Sequence, residues 1–218
     1  MELKDKILQT GTTVVGVIAK DAIVIGADKR ATAGGLFIAH KRFDKVFLLT
    51  DKISVATAGN VSDIQLLLKV TQAELKLKKL RTRTEPTVKQ AANLFATLTY
   101  ENIRKFSPLI AITAFIIGGK DNRGYWLYEI SPDGSVAEHK DFVAVGSGSI
   151  LAYGVLESQY KKGLSKDEAV QLVIKALNAA MQRDTATGSG LDIVVIDAKG
   201  ARKVLEEEAE MVLKEVKK

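Results

Sequence analysis

Cysteine is missing from the 218-residue chain. There is therefore no disulfide frame, no thiolate metal site and no thiol nucleophile. That composition fits a protein of a reducing cytoplasm. Histidine is nearly absent too: His40 and His139 are the only two. No His-Glu-x-x-His motif and no cluster of metal ligands can be built from them, so neither a metal nor an organic cofactor is expected. A Gly-x-Ser-x-Gly nucleophile elbow is also missing. No apolar run reaches the ~18 residues needed to cross a bilayer. The longest, Leu109 to Ile117, is broken by Thr113 and reads as a buried strand. The first residues, Met1 to Leu8, carry charge throughout and lack the apolar centre of a signal peptide.

What is present suits one soluble globular domain. Hydrophobic residues make up 46% and charged residues 27%. A chain of this length buries roughly 70–75% of its unfolded surface. The net charge is +6, yet the basic residues are dispersed. Their densest run, Lys76, Lys78, Lys79, Arg81 and Arg83, has no aromatic residue interleaved for base stacking. It reads as a solvated helix face or an oligomer contact rather than a nucleic-acid surface.

The β-branched run Thr13 to Ala19, the turn Lys20-Asp21 and the run Ala22 to Asp28 form a strand pair. Short strands follow near Leu36 to Ala39, Lys45 to Leu49 and Ile53 to Ala58. Asn60 or Ser62 caps a long helix, and Pro86-Thr87 opens a second. Strands return at Leu109 to Gly118, Tyr125 to Ile130 and Ser135 to Val145. Helices are expected over Ile150 to Tyr160 and Asp167 to Met181, then a buried strand over Leu191 to Asp197. The tail from Glu206 reads as a charged amphipathic helix. Strands and helices come in groups rather than alternating. That order predicts an α+β domain of antiparallel sheets with helices on the outer faces.

Thr10-Gly11-Thr12-Thr13 stands at the mouth of the first strand. A polar entry to a strand is the plain reading. A second follows from chemistry. A hydroxyl is a weak nucleophile and needs a base. If the chain is cut after Gly11, Thr12 carries a free α-amine, whose unperturbed pKa is roughly 7.7–8.0. Nucleophile and base then share one residue, and no histidine is needed. With Lys20-Asp21 as a two-residue turn, Thr13 lies opposite Asp28; with one more turn residue, Thr12 does. Either register puts a carboxylate beside Thr12, and Lys45 is placed to pair with it. A fixed ammonium there lowers the pKa of both amine and hydroxyl. Gly146-Ser147-Gly148-Ser149 opens a helix but lacks the spacing and following lysine of a phosphate-binding loop.

These stretches, with Ala27-Asp28-Lys29-Arg30, His40-Lys41, Thr57-Ala58-Gly59, Tyr153 to Glu157 and Gln182-Arg183-Asp184, run in order from about residue 10 to 197. Together they resemble the β subunits of archaeal-type 20S proteasomes, which are N-terminal nucleophile hydrolases. The resemblance implies a four-layer αββα sandwich. It implies a propeptide, residues 1–11, removed by self-cleavage between Gly11 and Thr12, and a single catalytic domain over 12–218. It implies Thr12 as nucleophile and base, Asp28 and Lys45 as the tuning pair, and Gly59 as the oxyanion donor. Ser147, Asp184 and Thr187 would hold the Thr12 amine and its water. Ala31, Phe47, Thr57 and Val61 would line the pocket for the residue before the cut bond.

It further implies a cytoplasmic, threonine-type endopeptidase acting on unfolded polypeptides, with no cofactor. Its β subunits would stand in seven-membered rings stacked between rings of α subunits, fed by an unfoldase ATPase, with no nucleic-acid or membrane partner. A ring subunit of the same fold without turnover is the alternative. Three departures stand out. Val14 replaces a frequent threonine, Thr187 replaces a more usual serine, and the loop from Ala33 to Leu36 is one residue longer.

Overall fold

A computed structural model of the protein describes residues 11–33, 37–107 and 112–208. Its elements are β1 (Thr13–Ile18), β2 (Ile23–Asp28), β3 (Ala31–Ala33), β4 (Phe37–His40), β5 (Val46–Thr50), β6 (Ile53–Gly59), α1 (Val61–Thr82) and α2 (Val88–Ile103). Then come β7 (Thr113–Asp121), β8 (Gly124–Ile130), β9 (Val136–His139), β10 (Phe142–Gly146), α3 (Ser149–Gln159), α4 (Lys166–Arg183), β11 (Gly190–Asp197) and β12 (Gly200–Glu208).

Two antiparallel five-stranded sheets result, ordered β10-β1-β2-β11-β12 and β5-β6-β7-β8-β9, with β3-β4 as a small separate pair. Alternation along each strand sorts side chains into layers. On β1, Val15 and Val17 pack with Leu172, Val173 and Leu177 of α4. Val14 points the other way, joining Ile25, Ile116 and Leu127 between the sheets. A third cluster puts Phe95 of α2 and Leu67 of α1 against Val55 and Phe115 of the second sheet. The layers are helix, sheet, sheet, helix: the order of elements predicts the α+β class with outer helices, and the resemblance implies the four layers. Both faces of β1 and β2 are buried, which is why they read as nearly unbroken apolar runs.

Helix starts follow local chemistry. Asn60 caps α1 by accepting from the N–H groups of Ser62 and Asp63. Thr87 with Gln90, and Ser165 with Glu168, form reciprocal capping boxes on α2 and α4.

Two expectations need correction. The stretch read as one strand over Ser135 to Val145 is two: β9 ends the second sheet and β10 ends the first. The chain changes sheets at Lys140-Asp141, where the Asp141 carboxylate accepts from the Phe142 N–H at 2.7 Å. The sequence predicts a helix from Glu206, but Glu206 to Glu208 belong to β12, and residues 209–218 lie outside the described residues. Charge hid this edge strand. Its cations pair across to β11, Arg202 with Asp197 at 2.7 Å and Lys203 with Asp192 at 3.3 Å. Most of the lengthened loop, residues 34–36, lies outside the described residues. No described helix is long and apolar enough to cross a membrane.

Candidate active site

The β1–β2 hairpin sets the register. Ala19 donates its N–H to the Ala22 carbonyl at 2.9 Å, which makes Lys20-Asp21 a two-residue turn. Val14 then stands opposite Ala27, and one step further Thr13 stands opposite Asp28. The carboxylate therefore meets the backbone of Thr13 rather than the side chain of Thr12.

Asp28 is fully buried and accepts four hydrogen bonds. Its Oδ1 takes the Thr13 N–H at 3.0 Å and the Lys45 Nζ at 2.7 Å. Its Oδ2 takes the N–H groups of Arg30 at 3.0 Å and Gly188 at 2.9 Å. Donors thus meet both oxygens of the carboxylate, two on each. Lys45 is buried as well. Burial pushes its ammonium below the usual lysine range, and the charge and hydrogen bond of Asp28 push back. Thr57 fixes the Lys45 backbone: its N–H and hydroxyl both donate to the Lys45 carbonyl, at 2.9 and 3.3 Å.

Thr12 is buried at the start of β1. Its Oγ1 donates to the Gly11 carbonyl oxygen at 2.7 Å. Its N–H donates to Ser147 Oγ at 3.2 Å. Ser147 Oγ in turn donates to Asp184 Oδ2 at 2.5 Å, and so does Thr187 Oγ1 at 2.5 Å. Since Thr187 spends its proton on Asp184, the Thr13 hydroxyl at 2.7 Å donates to Thr187. A continuous hydroxyl–carboxylate chain thus runs from the Thr12 nitrogen to the end of α4. Thr187 sits at its far end, on Thr13 rather than on Thr12.

Gly11 is held by its neighbours. Its N–H donates to Thr32 Oγ1 at 3.1 Å, and a Cβ there would lie 1.6 Å from the Ala186 Cβ. Gly59 adopts φ +123°, and a Cβ would meet the Ile112 carbonyl oxygen at 2.1 Å, so glycine is required there. Gly59, Lys45, Thr57, Ala31 and Val61 line one small hollow with Gly11 and Thr12, of about 20 Å³. Phe47 is not in its wall; it packs against the α1–α2 cluster, and Phe43 takes the aromatic place instead. A larger hollow of about 680 Å³, near Lys52, Lys78 and Lys120, contains none of these residues.

Four contributors escaped sequence reasoning: Thr13, Arg30, Thr32 and Phe43. Arg30 was within reach, being next but one to Asp28; its guanidinium holds the Thr185 carbonyl at 2.7 Å and Ser189 Oγ at 3.3 Å. Thr32 and Phe43 come from short segments without periodicity, so only tertiary contact reveals them. His139 lies elsewhere, paired with Glu129 at 3.1 Å.

A family model described as "Proteasome subunit" matches residues 8–196. Among curated relatives, "Proteasome subunit beta" of Ferroglobus placidus is 42% identical over 99% of this chain and 100% of its own length. The proteins of the same name from Archaeoglobus fulgidus and Methanopyrus kandleri are 38% and 39% identical. The former match covers 100% of both chains; the latter covers 94% of this chain and 97% of that protein. Similarity that runs unbroken from before Thr12 to the end of β11 makes this chain a member of the proteasome subunit family, of the archaeal β type.

Proposed function

We propose that this chain is the catalytic β subunit of a proteasome core particle, a threonine peptidase that first cuts itself between Gly11 and Thr12. The observation that carries this reading is the pose of Thr12. Its hydroxyl lies 2.7 Å from the oxygen of the carbonyl it must attack, and it shares the small hollow with Lys45, whose ammonium is paired with buried Asp28.

In the uncut chain the Thr12 nitrogen is an amide and cannot act as a base. Attack by Thr12 Oγ on the Gly11 carbonyl carbon forms a C–O bond. The C–N bond breaks as the hydroxyl proton passes to the departing nitrogen. Water then hydrolyses the ester, leaving the Gly11 carboxyl group and a free Thr12 amine and hydroxyl. The freed amine inherits the position at Ser147 Oγ.

On a substrate, that amine takes the hydroxyl proton as Oγ attacks the peptide carbonyl, then returns it to the leaving amine. A second round with water clears the acyl group. Gly59 N–H is assigned to the developing oxyanion, where one such donor contributes about 10²–10³ in rate. Lys45 favours the unprotonated amine by charge repulsion. The substrates are unfolded polypeptides, and a wall of Ala31, Thr57, Val61 and Phe43 favours small or apolar residues before the cut bond. The subunit works in stacked seven-membered rings with α subunits and receives substrate from an unfoldase ATPase.

The test is a particle assembled with an α subunit, assayed on a fluorogenic peptide with an apolar residue before the cut. Thr12→Ala should lower kcat by more than about 10⁴-fold, as removal of an enzyme's nucleophile does. Undiminished hydrolysis would favour a ring subunit that performs no turnover of its own.

A further inference from the structure

Lys29 lies between Asp28 and Arg30, yet its side chain takes no direct part in the site. It is 2% exposed and carries a charge. Three carboxylates meet its ammonium: Glu206 of β12 at 2.6 Å, Asp192 of β11 at 3.1 Å and Asp44 at 3.5 Å. Lys203 stands beside the same three acids, at 3.3 Å from Asp192, 3.5 Å from Glu206 and 3.9 Å from Asp44. Burial disfavours the Lys29 charge, but Glu206 and Asp192 outweigh it and hold the ammonium above the usual lysine range.

The backbone of Lys29 is equally committed. Its N–H is shared by the carbonyls of Gly188 and Gly190, each at 3.1 Å. Its carbonyl accepts the Phe43 N–H at 3.0 Å. One residue thus grips both flanks of the Asp28–Lys45 pair. On one side it holds Gly188, whose own N–H donates to Asp28. On the other it holds Phe43 and Asp44, the two residues that lead into Lys45.

We propose that Lys29 is a positioning residue for the peptidase reaction, anchoring Phe43-Asp44 to β11 and β12 and so fixing Lys45 and the Phe43 wall against Thr12. The inference rests on the reading of Thr12 as the nucleophile. A bland alternative exists: Lys29 only docks the edge strand β12. Asp44 separates the two. Its side chain is 57% exposed, so its loss should leave the fold intact and weaken only the tether to Lys45.

The experiment uses particles assembled with an α subunit, the fluorogenic peptide above, and intact-mass measurement of how fast Thr12 is uncovered. Asp44→Asn should lower kcat about fivefold, with KM and the thermal midpoint little changed, since small displacements at a reacting centre cost up to about 10² in rate. Lys29→Met should lower kcat about tenfold or more, and Lys29→Arg, which keeps the cation, should recover part of it. The Lys29→Met/Asp44→Asn double variant should be no slower than Lys29→Met, because both changes cut one tether. Slower uncovering of Thr12 should accompany each loss.

Asp44→Asn with wild-type kcat and wild-type uncovering overturns the proposal, and this holds even if Lys29→Met does not assemble. Fully additive losses in the double variant also overturn it. Hydrolysis that survives Thr12→Ala would instead remove the parent reading, so the two failures are distinguishable.

Discussion

Lys45→Met is expected to silence the assembled particle but leave the subunit folded, whereas Asp28→Asn should damage both. For Lys45→Met the expected fall in kcat is more than about 10³-fold, because the amine loses the charge that keeps it unprotonated and Thr12 loses its neighbour. Stability should fall by only about 1–3 kcal/mol. Removing one partner of a buried pair usually costs about 3–5 kcal/mol, when the other charge is left uncompensated. Here Asp28 keeps three N–H donors, from Thr13, Arg30 and Gly188. The variant is also spared the burial of an ammonium that burial already disfavours.

Asp28→Asn behaves differently. Both carboxylate oxygens accept two hydrogen bonds each. An amide can place its oxygen on one side only. Its NH₂ must then face either the Arg30 and Gly188 N–H groups or the Thr13 N–H and the Lys45 ammonium. Leaving two buried donors without an acceptor costs roughly 1–3 kcal/mol each. The expected order of thermal midpoints is therefore wild type, Lys45→Met, then Asp28→Asn. The reverse order of the two variants would contradict the acceptor-only role given to Asp28.

The second large effect falls on processing. Gly11→Ala adds a methyl group that would sit 1.6 Å from the Ala186 Cβ and 2.9 Å from its Cα. The backbone must move by about an ångström, which carries the Gly11 carbonyl off the Thr12 hydroxyl. Misplacement of that size lowers a rate by about 10². Self-cleavage of Gly11→Ala, followed by intact mass over time, should slow accordingly. Subunits that do complete the cut should turn over peptide at the wild-type rate, because residue 11 is then gone. Ala186→Gly in the same chain opens the methyl's space and should restore much of the processing rate. Unchanged processing in Gly11→Ala would show that the tight packing of Gly11 against Ala186 does not govern the cut.

Much of this site was legible before the fold. Thr12 was marked by chemistry, as a hydroxyl at a strand mouth in a chain without cysteine and nearly without histidine. Asp28 followed from hairpin geometry, though two registers stayed open until the Ala19–Ala22 turn selected one. Lys45 was legible as the partner of Asp28, and the two lie 2.7 Å apart. Phe47 was expected in the pocket wall on resemblance alone. In β5 it packs against the α1–α2 core, and the wall beside Thr12 comes from Phe43.

The starts of α1 and α2 were legible from Asn60 and from Pro86-Thr87. The β9–β10 break was marked only by Lys140-Asp141, too short a polar step to separate two strands without the change of sheet. The last strand hid behind Arg202, Lys203 and Glu206, whose charges are satisfied across the sheet. Lys29 stood inside a motif singled out for its neighbours. Only the distances to Asp44, Asp192 and Glu206 show what it holds.

The claim beneath all of this is that the Thr12 nitrogen must be a free amine before the subunit can work. Intact mass of the subunit isolated from particles that hydrolyse peptide tests it most directly. The expected chain has lost residues 1–11 and begins at Thr12. A full-length chain in fully active particles, with hydrolysis still dependent on this subunit, would contradict it.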